Sequence, residues 1–175
     1  METCTKFSDI NDVDFRITTF TEGHITDKYI SWLNDPSVVQ YSEQRHFKHT
    51  YSTCKNYYEL QKQSNNFFLA IEHLVYGHIG NIGVNIDINN NTADQSIIVG
   101  DYRARGKGFG GRAWNSTLTQ LIDKYGFRIV TAGTMEINKP MLKIIESSQM
   151  KICAYIPKRF ICKGIEIGLV IASTK

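Results

Sequence analysis

No stretch of this chain approaches the run of about 18 consecutive apolar residues that a membrane-crossing helix needs. The opening residues, Met1 to Asp14, are polar and acidic and lack the basic and apolar regions of a secretory signal. Cysteine is sparse and scattered. Cys4, Cys54, Cys153 and Cys162 form no C-x-x-C pair, which excludes a zinc ribbon or disulfide framework and reads as reduced thiols. Charge of one sign is also missing: 20 Lys and Arg face 17 Asp and Glu, a net +3, too mild for a nucleic-acid partner. There is no internal repeat. These absences point to a cytoplasmic protein with no metal, no nucleic acid and no membrane partner, acting as a monomer or homodimer.

What is present fits one domain, since 175 residues lie within the usual range for a single core. Hydrophobic residues at 42% and charged residues at 21% exclude wholesale disorder. Residues 1–13 read as a flexible leader and 14–175 as the folded domain. Alternation over Asp14–Phe20 predicts a strand. Thr26–Leu33 carries helix spacing that stops at Asn34-Asp35-Pro36. Thr50 caps a second helix over Tyr51–Gln63, with Cys54, Tyr57, Tyr58 and Leu60 on its buried face. Phe67–Glu72, Ile79–Ile88 and Ser96–Val99 are rich in Ile, Val and Phe and read as strands, the last two separated by the Asn89-Asn90-Asn91 turn. Gly111–Tyr125 is helical, with Trp114, Leu118, Leu121 and Ile122 on one stripe. Phe127–Thr131 is a strand, Pro140–Ser147 a short helix, and Lys151–Pro157 with Ile165–Ser173 a closing hairpin. The order βααβββαβαββ implies a mixed α/β sheet with helices on both faces.

The sharpest motif is Asp101-Tyr102-Arg103-Ala104-Arg105-Gly106-Lys107-Gly108-Phe109-Gly110-Gly111, between a strand and a long helix. Its glycines leave backbone N–H groups unshielded, and the helix that follows adds its positive N-terminal end. Arg103, Arg105, Lys107 and Arg112 surround it. Charge and geometry suit a pyrophosphate; a flexible connector is the plain alternative. The chain has no G-x-x-x-x-G-K-S/T loop. A dinucleotide fold would set its glycines after the first strand, whereas this loop follows the fourth predicted one.

On these residues the chain resembles the GNAT superfamily of acyl-coenzyme A N-acyltransferases, whose members carry R/Q-x-x-G-x-G/A between the fourth strand and the third helix. Arg105-Gly106-Lys107-Gly108-Phe109-Gly110 fits that pattern, and Arg103–Gly108 fits it in a second frame. Asn138, at the end of the next strand, opens a helix as the family's pyrophosphate-side Asn does. The resemblance covers about residues 14–173 and implies a GNAT-like, mostly antiparallel mixed sheet with acetyl-CoA as cosubstrate. It implies cofactor contacts from Val99, Arg105, Gly106, Lys107, Gly108, Phe109, Gly110 and Asn138. Val99 N–H would polarise the thioester carbonyl.

Within the superfamily, Thr26–Pro36 resembles the ribosomal-protein-alanine acetyltransferase type. Tyr41–His46 and Thr131–Asn138 resemble small acetyltransferases of bacterial surface-polysaccharide pathways, which act on nucleotide-linked amino sugars. The chain departs from the family pattern at Ile145, where many members place a Tyr that protonates the thiolate, and at Arg112 and Gln149.

The acceptor side is expected in Ser42, Glu43, Gln44, Arg45 and His46, which could read sugar hydroxyls; a solvated loop is the plain alternative. Glu136 is the first candidate base and Glu43 the second. His24, His73 and His78 read as surface or turn residues. Deprotonating a lysine amine at pH 7 costs roughly 4.6 kcal/mol, but an α-amine only roughly 1–1.4, which tilts against lysine as acceptor. The reading that results is acetyl transfer to the amine of a nucleotide-linked amino-deoxy sugar. Acetylation of a protein N-terminus and a non-catalytic coenzyme A-binding module are the alternatives.

Overall fold

The computed structural model describes residues 6–175, and Cys4 lies outside them. The chain order is β1 (Ile10–Asn11), β2 (Phe15–Thr19), α1 (Asp27–Leu33), α2 (Pro36–Val39), α3 (Tyr51–Gln63), β3 (Phe67–His73), β4 (Gly77–Asp87) and β5 (Thr92–Val99). It continues with α4 (Phe109–Asp123), β6 (Ile129–Met135), α5 (Lys139–Glu146), β7 (Lys151–Cys162) and β8 (Ile165–Ser173). The strands form one sheet in the order β1-β2-β3-β4-β5-β6-β8-β7, antiparallel throughout except where β5 meets β6. This is the mixed, mostly antiparallel sheet expected, with helices on both faces.

Side-chain alternation along the strands makes two cores. Phe67, Leu69 and Ile71 of β3 and Ile82 and Val84 of β4 face one side, where they pack with Trp114, Leu118 and Leu121 of α4 and Ile145 of α5. Phe68 and Ala70 of β3 and Ile98 of β5 face the other side, against Tyr29, Trp32 and Leu33 of α1 and Cys54 of α3. Each helix of that second face starts on a side-chain cap: Thr26 Oγ1 accepts from Tyr29 N–H at 3.2 Å, and Thr50 Oγ1 from Thr53 N–H at 3.3 Å.

Several elements depart from expectation. Residues 6–13 are not a loose leader: Phe7 is 2% exposed against Phe67 and Tyr125, and Ile10–Asn11 pairs with Arg16–Ile17. Ser8 N–H donates to Tyr125 Oη at 2.7 Å and Ser8 O accepts from Gln120 at 2.7 Å, so polar contacts hold the segment together with Phe7 and Ile10. Pro36 ends α1 but opens α2 at its first turn, where Asp35 accepts from Ser37 N–H at 2.8 Å. On α3 only Cys54 is fully buried; Tyr58 is half-buried against the second core, Tyr57 faces the cleft, and Leu60 is exposed. β6 begins at Ile129, later than expected, and runs to Met135. Its Thr131-Ala132-Gly133-Thr134 stretch lacks an apolar pattern and is held by pairing with β8.

The histidines also differ. His73 is buried and stacks on Tyr76, with its Nδ1 accepting from the N–H groups of Val75 and Tyr76. His78 packs among Phe20, Tyr29 and Trp32 with Nε2 at 3.0 Å from Gly80 O. Burial, reinforced by His24, pushes its pKa down to about 4.

Candidate active site

The site begins with a parting of strands. β5 and β6 pair only through Thr92–Asp94 with Ile129–Thr131, and beyond that point they diverge. Gly100 donates to Ile79 O, so the even residues of β5 bond to β4. The N–H and C=O groups of Ile97 and Val99 therefore face the edge that β6 has left. A cleft of about 1510 Å³ opens there and reaches both faces of the sheet. It exceeds the usual 300–1,000 Å³ of a one-ligand pocket. Two molecules fit.

The glycine loop closes one end. Gly106 at φ +72° and Gly108 at φ +82° hold left-handed backbone, and nothing lies within 4 Å of where a Cβ would sit on either. Gly108 caps the fifteen-residue α4 without any side-chain bond. The first N–H groups of α4 are thus left for a ligand. A Cβ on Gly110 would meet Val99 Cγ2 at 3.1 Å, so glycine there lets α4 approach β5. This cradle fits the pyrophosphate of acetyl-CoA.

The loop's cations do something else. Arg105 donates to Val99 O at 3.2 Å, Gly100 O at 3.0 Å and Ser37 Oγ at 3.3 Å, so its guanidinium pins the loop. Lys107 reaches Tyr76 Oη at 3.0 Å, away from the cleft. Phe109 turns into the core beside Phe15 and His73. Arg112 does line the cleft, and it is ion-paired to Asp12 at 3.3 Å and to Asp14. Lys139 and Lys143, one turn apart on α5, also face the cleft, and neither has a carboxylate within ion-pair distance among the described residues. The sequence reading missed them, although their i, i+4 spacing just after Asn138 was a usable signal. Asn138 lies at the wall as the cap of α5, accepting from Met141 N–H at 3.3 Å.

On the α1–α3 face the cleft is lined by Tyr29, Trp32, Tyr41, Phe47, Tyr57 and Phe68, interspersed with neutral polar groups such as Ser42, Gln44, Thr53 and Ser96. Among the described residues Glu43 is the one carboxylate lining the cleft, against Lys48, Arg105, Arg112, Lys139 and Lys143. Of the five expected acceptor residues, Ser42, Glu43 and Gln44 line the cleft and Arg45 and His46 do not. Arg45 instead binds Ser42 O at 2.8 Å and Glu43 at 2.7 Å and touches Ile161 O of the β7–β8 hairpin. His46 is exposed, 3.8 Å from Glu43.

Glu136 stands outside the cleft wall. Its carboxylate accepts from Gly168 N–H at 2.6 Å and from Tyr155 Oη at 2.8 Å, and these two donors hold it below the usual carboxylate range. Such a group is a weaker base than a free one. Ile145 is buried in the aliphatic core and offers no proton. Cys54 lines the cleft, but burial pushes its thiol pKa up. It stays protonated and poorly nucleophilic.

An α/β fold that parts two parallel strands and sets an uncapped helix start at the rim suits a cosubstrate that carries phosphates. A family model described as an acetyltransferase (GNAT) domain matches residues 14–151, and the chain belongs to that family; it is an acetyl-CoA-dependent N-acetyltransferase. Among solved structures it is similar to the spermidine N-acetyltransferase of Vibrio cholerae in complex with CoA and spermine, at 13% identity, TM-score 0.83, over 93% of this chain and 95% of that one. It is similar to the microcin C7 self-immunity acetyltransferase in complex with acetyl-CoA and AMP, at 18% identity, TM-score 0.78, over 93% and 92%. A ribosomal-protein-alanine N-acetyltransferase from Brucella melitensis matches at 13% identity, TM-score 0.73, over 90% and 97%. At such identities the likeness is one of fold. No curated protein sequence matches the chain.

Proposed function

We propose that the enzyme acetylates the amine of a nucleotide-linked amino-deoxy sugar. The observation that carries this reading is the chemistry of the α1–α3 side of the cleft: aromatic rings, neutral hydroxyls and amides, Lys48, and Glu43 as its single carboxylate among the described residues. A polyamine carries several positive charges and calls for several carboxylates. A peptide N-terminus from a basic partner calls for the same. A sugar offers hydroxyls to neutral partners and apolar ring faces to aromatic ones, and a linked diphosphate suits a cleft whose charge is mostly positive.

Acetyl-CoA supplies an activated thioester. The chain's part is to hold and to polarise. Gly106, Gly108 and the α4 N-terminus receive the pyrophosphate, with Lys139 and Lys143 alongside. Val99 N–H, turned to the open edge of β5, donates to the thioester carbonyl oxygen as negative charge develops there. The acceptor amine attacks directly, because Cys54 is protonated and has no base at hand. Glu43, at the cleft wall, takes the amine's proton directly or through water. The leaving thiolate takes a proton from solvent, which a thiol of pKa about 8.5 tolerates near neutrality.

Thiol release tests the reading with four acceptors offered in parallel: a uridine-diphosphate-linked amino-deoxyhexose, the free amino sugar, spermidine, and a peptide beginning with Ala. The sugar nucleotide should give the highest kcat/KM. Spermidine or the peptide in first place would overturn the proposal.

A further inference from the structure

Asp101 opens the glycine loop, and among the described residues it is the one buried carboxylate, at 2% exposure. A charge in that position is costly unless paired. Here it is paired on every side. Oδ1 accepts from Arg103 N–H at 2.9 Å and Arg103 Nε at 3.0 Å, and Oδ2 from Arg103 Nη2 at 2.7 Å and Lys28 Nζ at 2.7 Å.

Lys28 comes from α1, the helix that also lines the acceptor side. Its ammonium donates in addition to Tyr76 O at 3.3 Å and His78 O at 2.7 Å, which ties in the β3–β4 turn and the start of β4. Arg103 lies over the Tyr76 ring at 4.9 Å, and Lys107 over the same ring at 5.1 Å. One residue earlier in the chain, Trp32 packs on Gly100 so closely that any Cβ there would collide. The loop is therefore anchored at its base to α1 and to the β3–β4 turn, while beyond it nothing lies within 4 Å of where a Cβ would sit on Gly106 or Gly108.

We propose that Asp101 is a positioning residue for acetyl-CoA: by clasping Lys28 and Arg103 it sets the glycine loop in its binding geometry before the cofactor arrives. A glycine-rich segment left to itself samples many conformations and loses more freedom than any other on being ordered. A clasp that meets this loss during folding removes it from the binding step. The same clasp explains why Arg103 and Lys107 stay outside the cleft: Arg103 is committed to the carboxylate, and Lys107 to the ring that Arg103 covers.

The proposal rests on the reading of this loop as the pyrophosphate site, and the variants separate the two. Asp101→Asn keeps an acceptor for Arg103 N–H and removes the charge that holds Lys28. Calorimetry with coenzyme A, run well below each variant's melting temperature, should give a dissociation constant raised about tenfold for Asp101→Asn and about threefold for Lys28→Met. Lys28→Arg, which keeps the ion pair, should restore the wild-type value. Amide exchange over residues 106–110 should quicken in free Asp101→Asn and return to the wild-type rate when coenzyme A saturates it. A residue that only stabilised the fold would lower the melting temperature and leave both readouts alone. Wild-type affinity in Asp101→Asn and Lys28→Met, with Gly108→Glu unable to bind, overturns the proposal and leaves the loop reading standing. Wild-type affinity in Gly108→Glu overturns both. Should Asp101→Asn fail to fold, Lys28→Met decides, and a wild-type constant there overturns the clasp.

Discussion

On the face covered by α4 and α5, the cleft offers backbone N–H groups and the ammonium groups of Lys139 and Lys143. On the face covered by α1 and α3, it offers aromatic rings and neutral polar side chains, with Lys48 and, among the described residues, Glu43 as its one carboxylate. Both cores mix aliphatic and aromatic side chains: Phe15, Phe67 and Trp114 stand among Ile, Leu and Val in the first, and Phe20, Tyr29 and Trp32, with His78 packed among them, in the second. In the proposed function the first face neutralises phosphates through main chain and the ammonium groups of Lys139 and Lys143, and the second recognises shape and hydroxyls. The difference teaches that cations beside a phosphate loop are not thereby phosphate ligands, since Arg103, Arg105 and Lys107 are all spent on holding the loop.

The strongest way to break this contrast is Gly108→Glu, which sets a carboxylate at the helix start and forces a side chain onto left-handed backbone. An unpaired charge of this kind costs about 3–5 kcal/mol, so coenzyme A affinity should fall at least about a hundredfold by calorimetry. The variant should remain folded. Retained affinity would move the cofactor off this face.

His78 sharpens the other side of the comparison. Its folded pKa of about 4 lies below the ordinary value near 6.5, so the unfolded chain binds a proton that the folded chain refuses. Stability is then complete above about pH 6.5 and is lost as pH falls toward 4, by about 3 kcal/mol from this group. Urea unfolding across that window should show the slope in the wild type and a flatter one in His78→Gln. Equal slopes would mean that the histidine is not desolvated among those rings.

A smaller effect separates free from committed cations. Lys139→Ala combined with Lys143→Ala should weaken coenzyme A binding by about 1–2 kcal/mol and reduce its sensitivity to salt. Lys107→Ala should change the same constant by less than about twofold, because its ammonium already serves Tyr76. The reverse ranking would return the loop's own charges to the cofactor.

The sequence alone determined most of the elements and their order along the chain, though not β1 or α2, because caps such as Thr26 and Thr50 and the stripe of Trp114, Leu118 and Leu121 act through neighbours a few residues away. It also determined the glycine loop, since left-handed backbone and an uncapped helix start are local properties of Gly106–Gly111. Tertiary structure decided the rest. In one dimension Glu136 ranked ahead of Glu43 as candidate base; packing against Gly168 and Tyr155 put the first outside the cleft, and the second stayed at its wall. Lys107 was expected at the phosphates until Tyr76, thirty-one positions earlier, supplied a partner. The acceptor side draws on α1, α3, β3, β4 and β5, and no spacing in the sequence brings those segments together. Which charges remain free is set by long-range neighbours, and only the folded chain supplies them.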